Sequence, residues 1–183
     1  MATTQIDLRE ARPGDLGELR RMLRAAYDVG LKGYYAPETL ARVIPTVAEG
    51  NLRLIMSGRF HVATSGDRIV GCGGWSDGPP TPVGRNALEV GRCAHLRQFA
   101  THPEVAGQGV GKALFQRCRD QAEAAGLDYF ECQSTLMAEG FYAGLGFRHR
   151  RFIWTPIRGR QFALVVMRRP VSVETDRDRR TAI

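Results

Sequence analysis

At 183 residues the chain has room for one domain with a sizeable core and little for a second. Apolar residues make up 43% and charged residues 25%, which excludes a disordered polymer or a fibrous repeat. The net charge of +7 comes from 24 Arg and 2 Lys against 19 acids, spread along the chain as on a solvated basic surface.

Only Arg148, Arg150 and Arg151 cluster, without interleaved aromatics to stack on bases, so nucleic acid is not the expected partner. Apolar runs such as Phe162 to Met167 fall far short of the ~20 residues a bilayer-spanning helix needs, so no membrane partner is expected. Met1 to Glu10 has no cationic segment leading into an apolar core, and a cytoplasmic location is expected. Cys72, Cys93, Cys118 and Cys132 form no C-x-x-C pair and are expected as free, mostly buried thiols. His61, His95, His102 and His149 lack ligand spacing on any one element, so no metal is expected.

In chain order, Gln5 to Ala11 alternates as a half-buried strand, and Pro13-Gly14-Asp15 turns the chain. Leu16, Leu19, Leu23 and Tyr27 then form the apolar stripe of a helix that closes at Gly30 and Gly33. Pro37 opens a second helix through about Val47. Arg59 to Thr64 and Arg68 to Trp75 form a hairpin about Ser65-Gly66-Asp67. Ser76 to Arg92, rich in Pro and Gly, is expected to be a long surface loop with a functional role.

His95 to Thr101 resumes a strand, and Gly107 to Gly111 leads into a helix stopped by Gly126. Asp128 to Gln133 is a strand and Leu136 to Leu145 a short helix. Phe147 to Thr155 and Gln161 to Met167 are the last strands, turned at Pro156 to Gly159. Residues 1–170 form the domain, and Val171 to Ile183 is expected to be a frayed, charged tail.

The chemistry concentrates in the strand, glycine loop and helix start of Leu96 to Leu114. Gly107, Gly109 and Gly111 occupy alternate positions, so successive backbone N–H groups can converge beside a helix N-terminus. That pattern suits a pyrophosphate. A Walker loop is disfavoured because Ala106 and Ala113 stand at its first glycine and its magnesium-binding hydroxyl. A dinucleotide fingerprint fails as well, since Lys112 occupies its last glycine.

Gly109-Val110-Gly111, together with Ala138-Glu-Gly-Phe141-Tyr142-Ala-Gly-Leu-Gly146-Phe147, resembles the GNAT superfamily of acyl-CoA-dependent N-acyltransferases. The order of elements matches from about Gln5 to Arg168. One departure is Ala106, where the family carries Gln or Arg. The resemblance implies an α/β (α+β) fold. Its central sheet is mixed and mostly antiparallel, with about seven strands, helices on both faces and a splay between strands 4 and 5.

The resemblance further implies acetyl-CoA as co-substrate and a primary amine as acceptor, on a small molecule, an amino acid or a protein. A homodimer is compatible with it. Main-chain groups of Phe99, Ala100 and Thr101 would pair with pantetheine amides as an added strand does. Gly107, Gln108, Gly109, Val110, Gly111 and Lys112 would hold the pyrophosphate. Thr135 stands where the family often has a cofactor-binding Asn, and an ordinary helix cap is the alternative.

Tyr142 resembles the family's general acid, since a phenol is protonated at neutral pH and can donate to a departing thiolate. Glu89, in the loop entering the fourth strand, and His95 are the alternatives for general base. The first two helices and the Ser76 to Arg92 loop are expected to line the acceptor site, with Tyr34, Tyr35 and Trp75 as wall or core. A non-catalytic acyl-CoA-binding module would keep the glycine cradle but tolerate loss of Tyr142, so the tyrosine favours an enzyme.

Overall fold

The computed structural model describes residues 5–79 and 92–172. Its strands are β1 (Asp7–Glu10), β2 (Phe60–Ser65), β3 (Arg68–Ser76), β4 (Cys93–Thr101), β5 (Tyr129–Thr135), β6 (Arg148–Ile157) and β7 (Arg160–Pro170). They form one seven-stranded sheet in the order β1-β2-β3-β4-β5-β7-β6. Only β4 and β5 are parallel, because a helical crossover joins them while the other neighbours run antiparallel.

Helices α1 (Leu16–Gly30), α2 (Pro37–Val47) and the short α3 (Leu52–Ile55) precede β2. The expected apolar stripe is realised on α1, where Leu19, Met22, Leu23 and Ala26 are buried at three- and four-residue spacing. They pack with Val43 and Ile44 of α2 over Phe60, Val62 and Cys72 on one face of the sheet. The crossover helix α4 (Val110–Ala124) covers the other face through Leu114, Phe115, Cys118 and Ala122, and α5 (Glu139–Gly144) follows β5. Three of the four cysteines are buried and all are free thiols.

Element boundaries differ from expectation in several places, and α3 is an element the sequence did not signal; three differences have a clear physical reason. The strand β5 continues to Thr135, because Ser134 and Thr135 still pair with Val165 and Leu164. The strand β7 continues to Pro170, because Arg168 meets a buried carboxylate, Glu131, on the neighbouring strand. Val171, expected in the tail, is buried and donates its N–H to the Asp128 carbonyl at 3.0 Å. The tail from residue 173 onward and loop residues 80–91, including Glu89, lie outside the described residues. Among the described residues no helix is long and apolar enough to cross a membrane.

Candidate active site

Parallel pairing of β4 with β5 covers only Cys93–Tyr129, Ala94–Phe130 and His95–Glu131. Beyond that point β4 stays with β3 and β5 stays with β7, so the two strands part. A bulge helps to turn β4 away. Between the pairs Gly74–Arg97 and Cys72–Ala100, β4 carries one extra residue, and Gln98 takes a left-handed φ of 48°. Strand edges that no longer face each other leave backbone N–H and C=O groups available to a ligand.

The parting opens a cavity of about 670 Å³ that touches Phe99, Ala100 and Thr101 on one side and Ser134 and Thr135 on the other. Its lower end is the glycine loop. Gly109 has φ of 82° and serves as N-cap of α4, a conformation that favours a residue lacking Cβ. No side chain caps this helix, so the N–H groups of its first turn, Val110, Gly111 and Lys112, have no intrahelical acceptor. They point, with the positive end of a 15-residue helix, toward the cavity that these residues line. Gly107 and Gly109 line it too, whereas Gln108 turns back, donating its amide N–H to Val105 and its Nε2 to the Glu104 carbonyl.

Tyr142 of α5 lines the same cavity and is only 6% exposed. Its ring meets Phe99 edge-on at 6.3 Å and Phe147 at 5.4 Å, so β4, α5 and the residue just before β6 fix its position. Burial pushes its phenol well above the ordinary value of 10.0, which keeps it protonated at neutral pH. Phe99 in turn fits against β3 because Gly73 leaves space there; a Cβ at Gly73 would stand 2.9 Å from the ring. Thr135 also lines the cavity, and its side chain makes no capping hydrogen bond, so its hydroxyl is not spent on the following helical turn.

The two proposed bases end up differently. Glu89 lies outside the described residues. His95 is 5% exposed at the last β4–β5 pair, is not among the cavity-lining residues, and places Nδ1 3.4 Å from Glu131 Oε1. Burial pushes the Glu131 carboxyl up, but His95 and two Arg168 contacts, at 2.6 and 2.7 Å, outweigh it and hold the carboxyl below its ordinary range. His95 Nε2 is buried without a hydrogen-bond partner.

The suggested wall residues also separate. Trp75 is core beneath α4, with its indole N–H on Gln121 Oε1 at 3.2 Å. Tyr34 is 52% exposed. Tyr35 is a strut: it stacks on Phe162 at 4.3 Å, donates to the Ala163 carbonyl at 2.9 Å, and accepts from Leu136 N–H at 2.8 Å. That ties the α1–α2 connection to the turn carrying Thr135.

Sequence reasoning missed the last turn of α1. Ala26, Tyr27, Val29 and Gly30 line the cavity; α1 was expected to line the acceptor site, but none of these residues was singled out for it. It also missed Gln98, whose bulge carries no local signature. Together the site offers unpaired strand backbone, a cluster of N–H donors suited to a diphosphate, and a buried phenol within one cavity. Among the described residues no group of three or more His, Cys, Asp or Glu side chains is placed to hold a metal.

The family model for the acetyltransferase (GNAT) domain matches residues 56–149, just over half the chain. No curated protein matches. Among solved structures, the fold is similar to a GCN5-related N-acetyltransferase from Rhodopseudomonas palustris, at TM-score 0.73 and 20% identity, covering 93% of this chain and 98% of that one. A PaiA N-acetyltransferase from Thermoplasma acidophilum, in complex with coenzyme A, aligns at TM-score 0.67 and 18% identity over 91% of this chain and 99% of its own. The ribosomal-protein-S18-alanine N-acetyltransferase of Escherichia coli aligns at TM-score 0.59 and 16% identity, covering 94% and 97%. With its sheet order, its parted parallel strands and the matched segment in agreement, the chain belongs to the GNAT acetyltransferase family.

Proposed function

We propose that this acetyltransferase moves the acetyl group of acetyl-CoA to a primary amine, on a small molecule, an amino acid or a protein, by direct attack within a ternary complex. The observation that carries the reading is that one cavity joins the free first-turn N–H groups of α4, the parted edge of β4 and the buried Tyr142. Backbone N–H groups of Gly107, Gly109, Val110, Gly111 and Lys112 suit a pyrophosphate. Phe99, Ala100 and Thr101 suit the pantetheine amides, and Thr135 offers a hydroxyl along the same wall.

In the step proposed, the amine nitrogen bonds to the thioester carbon, and the carbon–sulfur bond breaks. The sulfur takes a proton from Tyr142, whose desolvated phenol is held in the protonated form that this requires. The amine loses a proton to a base, for which the sequence names Glu89 and His95; of these, His95 does not line the cavity. His95 is oriented by Glu131 on the neighbouring strand.

The test is a panel of primary amines assayed for CoA release, run beside calorimetric titration of CoA. Acetylation of an amine with stoichiometric CoA release supports the reading. Tight CoA binding with no acetylated amine across the panel sinks it.

A further inference from the structure

The bulge in β4 brings two consecutive side chains to one face. Leu96 packs in the cluster beneath α4, so alternation sends Arg97 to the opposite face, where α1 and α2 lie. Gln98 follows it there because its left-handed backbone breaks the alternation, and its Nε2 donates to the Val47 carbonyl at the end of α2 at 3.3 Å. A carbonyl can only accept, so this contact fixes which end of the Gln98 amide points away from α2. The other end, Oε1, is buried without a partner, and Gln98 is one of the residues lining the cavity beside Phe99. A buried acceptor left without a donor is costly unless something bound supplies one.

Arg97 poses the complementary question. Its guanidinium is half-buried and donates to Ser76 Oγ at 3.0 Å, while burial alone acts on its charge and lowers its pKa. No carboxylate among the described residues pairs with it. Asp77 is taken by Arg59 at 2.7 Å, and Glu131 by Arg168 and His95. A partly desolvated cation without a counter-ion, one residue before an unsatisfied amide oxygen, is matched by a molecule carrying both an N–H donor and an anion.

We propose that the acceptor is an amine bearing a carboxylate, with Gln98 Oε1 accepting an N–H of the amine and the Arg97 guanidinium taking the carboxylate. The proposal rests on the amine-transfer reading and narrows it. The two residues come from β4 itself, so acceptor recognition is built into the strand whose next residues face the donor cavity.

The experiment compares ω-amino acids of increasing chain length, together with α-amino acids, each as free carboxylate and as carboxamide. For at least one length the carboxylate is expected to show kcat/KM roughly 10–100-fold above its carboxamide, the usual worth of charged hydrogen bonds. Arg97→Gln should collapse that ratio toward one, and Arg97→Lys should restore part of it. Gln98→Met, which keeps the length but lacks the amide, should raise acceptor KM about tenfold for both members of each pair.

Calorimetric titration of the same pairs into the protein–CoA complex reads the preference without turnover. Turnover with no carboxylate preference at any length overturns the proposal while the transfer reading stands, as does a preference that survives Arg97→Gln. Carboxylate-selective binding, lost in Arg97→Gln but accompanied by no CoA release, supports this recognition and overturns the transfer reading. Absence of selectivity in both binding and turnover overturns the proposal.

Discussion

Gly111 lies against Phe141: a β-carbon at Gly111 would stand 3.0 Å from the ring. The first turn of α4 thus abuts α5, so the loop that suits a pyrophosphate and the helix that carries Tyr142 are in direct contact. Gly109, two residues earlier, has open space around it but a φ of 82°. The two glycines are therefore needed for different reasons. Gly109→Ala is expected to cost about 1–2 kcal/mol through left-handed strain. Gly111→Ala should cost less, because Phe141 is 37% exposed and can shift by a few tenths of an ångström. Chemical denaturation of the two variants measures the order; a larger loss for Gly111→Ala would show that the α4–α5 contact is the more rigid feature.

What the sequence revealed and what it concealed divide along the range of the interactions. Helix α1 was visible because Leu19 and Leu23 repeat at helical spacing, and the glycine loop because closely spaced glycines act locally. The end of β7 was hidden. Arg168 and Arg169 look like a solvent-facing stop, and only Glu131, 37 residues away, turns Arg168 into a strand residue. The bulge at Gln98 was hidden for the same reason, since a glutamine in the left-handed region has no propensity signal and is set by its partners on β3 and α2. The last turn of α1 reaches the cavity through tertiary packing, which no periodicity within α1 reports.

Coenzyme A should raise thermal stability. A ligand held only by the folded cradle at 100 times its dissociation constant adds about 2.7 kcal/mol. For a chain of this size that is several degrees, at roughly 2–4 °C per kcal/mol. Differential scanning fluorimetry with millimolar CoA measures it, and a flat response would show that the α4 first turn and the β4 edge do not form a CoA site.

Glu131 links folding to pH. The folded protein holds this carboxyl below its ordinary value of 4.5, so the unfolded chain takes up the proton first as pH falls. Its stabilisation is whole above about pH 4.5 and drains as pH drops through the folded value. Glu131→Gln should lose about 3–5 kcal/mol at neutral pH, because it removes the negative charge from a buried pair. The gap between wild type and variant should then narrow on acidification. Urea melts at pH 7 and pH 4 test this; a constant gap would mean that Glu131 contributes through packing rather than charge.

Tyr142→Phe separates chemistry from packing, because it deletes one hydroxyl and keeps the ring that meets Phe99 and Phe147. Burial keeps the phenol protonated, so the group is in its donating form across the working pH range. A positioned acid is worth roughly 10²–10⁴-fold, and the rate with saturating substrates should fall by that factor while affinity for acetyl-CoA changes little. Single-turnover kinetics are the right measurement, since a slow product-release step would hide a loss in the chemical step. A folded Tyr142→Phe protein with the wild-type single-turnover rate would transfer the proton-donor role to water. A loss of acetyl-CoA binding equal to the loss of rate would instead assign the hydroxyl to holding the cofactor, leaving the thiolate to be protonated from the open side of the cavity.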